Sequence, residues 1–270
     1  MLEKQEIDGK DSWRIFRIMS EFVEGFEVMA EVGPAVSIFG SARTAPDDKY
    51  YQAAEETARL LVKEGFATIT GGGPGIMEAG NKGAFEAGGQ SIGLNITLPK
   101  EQEGNRYQTT SLDFHYFYAR KVMFVKYADA FICFPGGFGT LDEFFETMTL
   151  IQTTKVDAFP VILYGSEFWT GLVEWMKKTL IPNFVDREDV DIFRIVDSPE
   201  EAVKMVVEGV KEHWWSPNDE PTEPDAGPMR QQTPLSGYKA QDTGEGTRYG
   251  KRPRITTKEH INPPKKGKPA

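Results

Sequence analysis

A single cysteine, Cys133, stands among 270 residues, which excludes an intramolecular disulfide and any zinc site built on several thiolates. No apolar run approaches the roughly 18 to 20 residues of a membrane span. The opening segment, Met1 to Lys10, is charged and lacks a signal-type apolar core, so a protein of a reducing cytoplasm is expected. Basic residues are in deficit: 31 Lys and Arg face 41 Asp and Glu, giving a net charge of -10. Duplex binding rests on Lys and Arg neutralising phosphates, so nucleic acid is not the expected partner of the folded part. Small anions held by local dipoles remain open to it.

Hydrophobic residues make up 39% of the chain, enough for one α/β core with material left for a tail. From Asp11 to Glu31, Phe16, Met19, Val23, Phe26 and Ala30 recur at helical spacing, a stripe suited to covering a sheet face or a second copy. Short apolar strands then alternate with longer helical patterns, the sequence form of a parallel sheet with crossover helices. Strands are expected at Ala35 to Phe39, Ala67 to Thr70, Ser91 to Asn95, Leu112 to Phe117, Ala130 to Phe134, Pro160 to Tyr164 and Ile192 to Val196. The polar stretch Pro99 to Thr110 reads as a mobile loop near a ligand. Three parts result: an N-terminal helix over 1–33, a Rossmann-like domain of open parallel sheet with helices on both faces over 34–215, and a tail over 216–270. The tail has almost no aliphatic residues and reads as disordered. Its basic end, Lys251 to Lys268, permits weak contact with nucleic acid or an acidic partner, although composition favours a solvated tail without a ligand.

The chemistry concentrates in three strand-to-helix turns: Gly40-Ser41, Gly71-Gly72-Gly73-Pro74-Gly75 and Pro135-Gly136-Gly137-Phe138-Gly139-Thr140. In a parallel sheet all three emerge on one edge, where ligands collect. Glycines let the backbone approach an anion, and a helix N-terminus aims unpaired N–H groups and a positive dipole end at it. Asp142 and Glu143 follow in the first helical turn, where they would repel a phosphate unless aimed elsewhere on the ligand. A nucleotide whose sugar meets an acid resolves that conflict. Neither glycine run has the dinucleotide spacing, and no Walker lysine follows Gly139-Thr140, so NAD binding and ATP hydrolysis are disfavoured.

The run Gly71 to Met77, the pair Arg120-Lys121 and the run Pro135 to Glu143, in this order, resemble the Lonely Guy family over about Pro34 to Trp214. The resemblance implies a Rossmann-like fold, a homodimer and hydrolysis of nucleoside 5′-monophosphates, including AMP and cytokinin nucleotides, to free base and ribose 5-phosphate, without metal or organic cofactor. It implies Arg120 and Glu143 as the catalytic pair, with Gly136, Gly137, Gly139 and Thr140 around the phosphate. Ser41, Gly72, Gly73, Gly75, Met77, Glu78 and Lys121 complete the expected substrate-binding set. Glu143 would stabilise oxocarbenium character at the sugar or orient the attacking water, as carboxylates do in glycosidases. Arg120 would hold phosphate or ribose hydroxyls, or steady Glu143 in its ionised form. Asp142 and Glu146 read as a helix-start charge and a solvated or dimer-facing group.

Two departures touch specificity. Many family members carry Met-His-x-Arg-Lys where this chain has Phe117-Tyr118-Ala119-Arg120-Lys121, so the role of that histidine is absent or falls to His115. Glu78 stands where many have glycine, and it would either accept from ribose hydroxyls or complement the helix dipole. Met77, Phe138 and Asn105-Arg106-Tyr107 are candidates to border the base. The old family label of lysine decarboxylase finds no pyridoxal lysine in a recognisable context. A nucleotide sensor or carrier of the same fold, without turnover, is the alternative to an enzyme.

Overall fold

The computed structural model describes residues 9–97 and 104–212; side chains are described from Trp13 to Lys211 within those ranges. The tail expected over 216–270 lies outside the described residues. Seven parallel strands form one sheet in the order β4-β3-β2-β1-β5-β6-β7. They are β1 (Ala35–Phe39), β2 (Ala67–Thr70), β3 (Ser91–Ile96), β4 (Thr110–Phe114), β5 (Ala130–Cys133), β6 (Val161–Tyr164) and β7 (Phe193–Val196). Because β1 pairs with β2 on one side and β5 on the other, the direction of winding reverses between β1 and β5. The register there pairs Val36 with Ala130 and Phe39 with Cys133. A crevice opens at the carboxyl ends of two strands that diverge in this way.

Alternation along each central strand splits the core into two layers, since successive side chains point to opposite faces. Ala35, Phe39, Phe131, Cys133, Val161 and Leu163 pack into one layer with Phe124 of α4 (Phe117–Tyr127), Phe144 of α5 (Phe138–Gln152) and Trp169 of α6 (Ser166–Thr179). Val36, Ile38, Ile132 and Ile162 pack into the other, against Leu61 of α2 (Lys49–Lys63), Ile76 of α3 (Ile76–Glu86) and Val206 of α7 (Pro199–Glu212). The Rossmann-like architecture expected from the strand and helix alternation is thus the one observed.

Helix α1 (Gly9–Met29) turns a different stripe inward from the one the spacing suggested. Met29 is fully buried and Phe22 and Val28 pack on the core, whereas Phe16, Met19, Val23 and Phe26 are exposed. The reason is a buried carboxylate: Glu21 accepts from the backbone N–H groups of His115 (3.0 Å) and Tyr116 (3.3 Å) and orients the helix. The same contact corrects the boundary expected for β4. Its N–H groups at 115 and 116 are taken by Glu21, so the strand stops at Phe114 and Phe117 opens α4. A short 3₁₀ turn at Glu188–Asp191, absent from the sequence reading, precedes β7.

The polar loop expected over Pro99 to Thr110 is described from Gly104 onward, and that part is anchored rather than loose. Asn105 N–H donates to the Gly72 carbonyl at 2.7 Å, and the Gln108 amide donates to the same oxygen at 3.0 Å. Among the described residues no helix is long and apolar enough to cross a membrane.

Candidate active site

The Gly40-Ser41 turn after β1 is tied to the glycine run after β5. Ser41 N–H donates to the Pro135 carbonyl at 3.0 Å, and a Cβ placed on Gly136 would come within 3.1 Å of the Gly40 carbonyl carbon. The third turn joins them through Gly75, whose φ of 68° is costly for a side-chain-bearing residue and whose added Cβ would strike the Ser41 oxygen at 2.3 Å. Ile76 N–H donates to that same Ser41 oxygen at 3.0 Å. All three turns therefore meet at the crevice between β1 and β5.

There they wall a cavity of about 580 Å³, within the range of small-molecule sites. One end is the start of α5, where Gly137 caps the helix and leaves its first N–H groups without intrahelical acceptors. Gly137, Gly139, Thr140 and Ser41 line this end, as does Arg43, which the sequence reading had not singled out. Arg43 is exposed and, among the described residues, pairs with no acid. Nothing in its sequence context marked it; only its place beside Ser41, whose hydroxyl accepts from Arg43 N–H at 3.0 Å, brings it to the rim.

Farther along α5, in its second turn rather than the first that the motif suggested, Glu143 lines the cavity together with Arg120 of α4. Both are nearly enclosed, and two of their buried polar atoms, Arg120 Nε and Glu143 Oε2, have no protein partner. Buried polar groups are ordinarily hydrogen-bonded, so an unpaired pair of opposite charge at a cavity wall is a reserve for a ligand. Burial pushes the Glu143 carboxyl up to about 7; Lys121 and Arg120 oppose that rise, while Glu146 and Asp142 add to it. Burial also draws Arg120 below its usual range, with Glu143 countering. The guanidinium carbon lies 5.4 Å from the Phe124 ring centroid and 5.7 Å from that of Phe117, positions that supply cation–π attraction in place of water.

A smaller cavity of about 190 Å³ adjoins the first, sharing Ala42, Gly71, Met77, Phe117 and Arg120 with it. Gly72, Gly73 and Asn95 line its far side. Of the residues expected at the site, Ser41, Met77, Arg120, Gly137, Gly139, Thr140 and Glu143 line the larger cavity, and Gly72 and Gly73 the smaller. Gly75 and Gly136 shape the turns from behind. Glu78 lines neither cavity; its carboxylate accepts from the Tyr51 hydroxyl at 3.0 Å. Lys121 is also directed elsewhere, into the carboxylates of α5. Asn105 braces the Gly72 and Gly73 carbonyls at 3.0 and 3.1 Å, and Arg106 stacks over Tyr107. Phe138, 91% exposed, stands at the rim. His115 lies 3.4 Å from Glu21, at the α1 contact. Among the described residues no cluster of His, Cys, Asp and Glu is arranged to hold a metal.

Residues 77–206 match the family model described as "Possible lysine decarboxylase". A cytokinin riboside 5′-monophosphate phosphoribohydrolase of Rhodococcoides fascians is 27% identical over 56% of this chain and 78% of its own length. A second protein of that name, from Arabidopsis thaliana, is 28% identical over 66% of this chain and 83% of its own. Among solved structures, a molybdenum cofactor binding protein from Rippkaea orientalis superposes with a TM-score of 0.51 at 23% identity. It covers 66% of this chain and 98% of that one, a likeness of fold alone. The family match and the named relatives bear out the resemblance to the Lonely Guy family read from the motifs, and those relatives are named as phosphoribohydrolases.

Proposed function

We propose that this protein, similar to the Lonely Guy family, hydrolyses the N-glycosidic bond of a nucleoside 5′-monophosphate, AMP or an N6-substituted AMP, to free base and ribose 5-phosphate. The observation that carries the reading is the unpaired, buried Oε2 of Glu143 in a cavity that also takes in the start of the same helix, with its free N–H groups. A phosphate seated on the first N–H groups of α5, with Ser41, Thr140 and Arg43 around it, places the ribose toward Glu143. The base then points to the adjoining cavity between Met77, Phe117 and the Gly71 to Gly73 turn.

In the reaction the C1′–N bond breaks with its electron pair going to the base, and positive charge builds on the sugar ring. The Glu143 carboxylate stabilises that charge and takes a proton from the water whose oxygen bonds to C1′; the departing base takes up a proton. A carboxyl that titrates near 7 is matched to this task, because a base works best with a pKa close to the working pH. Arg120 balances the carboxylate and offers its unpaired Nε to the ribose or phosphate.

Purified protein incubated with AMP or isopentenyl-AMP is expected to release free base, detected by chromatography, and Glu143→Gln or Arg120→Ala is expected to abolish release without unfolding. Intact nucleotide after long incubation with a range of monophosphates overturns the reading. Tight nucleotide binding in calorimetry without turnover would instead favour a binding protein or carrier; the Rippkaea orientalis protein is named for binding its own cofactor. The buried Glu143 weighs against a carrier, since an anionic ligand gains nothing from a carboxylate set beside it. We also read the chain as a homodimer, on the strength of the uncovered apolar stripe of α1.

A further inference from the structure

Glu143 is packed among titratable groups from three elements. On α5, Asp142 adjoins it and Glu146 follows one turn later. From α4 come Arg120 and Lys121, and from β5 comes Cys133, whose thiol burial pushes well above its usual range and so keeps neutral. Lys121 is the cation that reaches every carboxylate of the group. Its Nζ lies 2.9 Å from Asp142 Oδ2, 3.5 Å from Glu143 Oε1 and 2.6 Å from Glu146 Oε2. It is itself only 16% exposed, and it lines neither cavity.

The division of the Glu143 carboxylate is informative. Oε1 is on the Lys121 side and Oε2 has no partner, so the ammonium occupies one oxygen and leaves the other for chemistry. Three carboxylates this close repel one another, and without a shared counter-ion the most buried of them is the first to take up a proton.

We propose that Lys121 is a positioning residue of the hydrolytic site: it holds the α5 carboxylates together, keeps Glu143 ionised and turns its Oε2 into the cavity, without touching substrate. The inference rests on the hydrolase reading and departs from the expectation that Lys121 binds substrate.

The test is the pH profile of kcat/KM for AMP in wild type, Lys121→Met and Lys121→Arg, with the Glu143 side-chain carboxyl followed by ¹³C NMR. Loss of an opposite charge at this range moves a carboxyl by about 1 to 3 pH units. The acid limb of Lys121→Met is therefore expected to rise by at least one unit, with a fall of about 10-fold in kcat/KM below the wild-type limb and KM within about 2-fold. Lys121→Arg should restore most of the limb. Should Lys121→Met fold poorly, Glu146→Gln supplies a shift of opposite sign, because it removes a repelling charge and releases Lys121 toward Glu143. An unmoved acid limb with a raised KM would make Lys121 a substrate ligand and overturn the proposal. So would an unchanged Glu143 titration in Lys121→Met. The NMR arm needs no turnover, so absence of hydrolysis in wild type would sink the enzymatic reading while the electrostatic role of Lys121 is still decided.

Discussion

Replacing Glu143 by glutamine should make the domain more stable while removing its activity, and the gain should depend on pH. In the folded chain the carboxyl is raised from an ordinary 4.5 to about 7, with burial the largest cause. The attraction of Lys121 and Arg120 is already contained in that value. A folded-state pKa above the unfolded one means the native state binds the proton more tightly. The corresponding stability is fully present below about pH 4.5 and is lost as pH rises through about 7. At 1.36 kcal/mol per pH unit the ionised carboxylate costs about 3 kcal/mol at pH 8 and about 1 kcal/mol at pH 5. Glutamine keeps the shape of the protonated acid and never ionises, so Glu143→Gln should recover those amounts. For a domain of this size that is roughly 6 to 12 °C in Tm at pH 8. Guanidinium unfolding at the two pH values, followed by the fluorescence of the buried Trp169, measures the difference. Equal stability of variant and wild type at pH 8 would refute the reasoning, and an equal gain at both pH values would show that charge is not its cause.

How much of this was legible in the sequence depended on whether the deciding contact was local. The strands were readable because each is a short apolar run closed by turn residues, and parallel pairing followed wherever a helix stands between successive strands, which leaves out only β3 and β4 among the described elements. The three turns were readable for the same reason, since glycine at a strand-to-helix junction states its backbone need directly. What escaped depended on distant partners. The β4 boundary is set by Glu21, 94 residues from His115, while the local run Leu112 to Phe117 is apolar and aromatic enough to continue as strand. Helix α1 carries apolar residues on more than one face, so its own periodicity could not tell which face meets α4. At the site, Glu143 and Arg120 came from the family resemblance, and their unpaired atoms became visible only with the coordinates. Lys121 and Glu78 looked alike in the sequence as polar residues beside a motif. The fold gives one to the α5 carboxylates and the other to the Tyr51 hydroxyl.

Two further outcomes are expected. If Arg43 supplies charge to the 5′-phosphate, Arg43→Ala should raise KM for AMP about 10-fold with kcat little changed, as loss of one charge-assisted contact at an exposed rim implies. Steady-state kinetics on AMP and adenosine decide it: a collapse of kcat, or an unchanged KM, removes Arg43 from phosphate binding. The second concerns α1, where Trp13, Ile15, Phe16, Met19 and Val23 are each more than half exposed. A run of large apolar side chains along one helix is more than scattered surface hydrophobicity and calls for a cover. The chain beyond Glu212 is poor in aliphatic residues and is badly suited to supply it. A second copy meets the need with the same stripe, in the self-complementary way of a two-fold dimer. Light scattering should then give twice the 30.3 kDa chain mass, and Phe16→Ser with Val23→Ser should return it to the single-chain value. Because those side chains contribute little to the core of their own subunit, the double variant should keep its helical circular dichroism. A wild-type protein that scatters as a monomer at micromolar concentration would leave the stripe without that partner and refute the dimer.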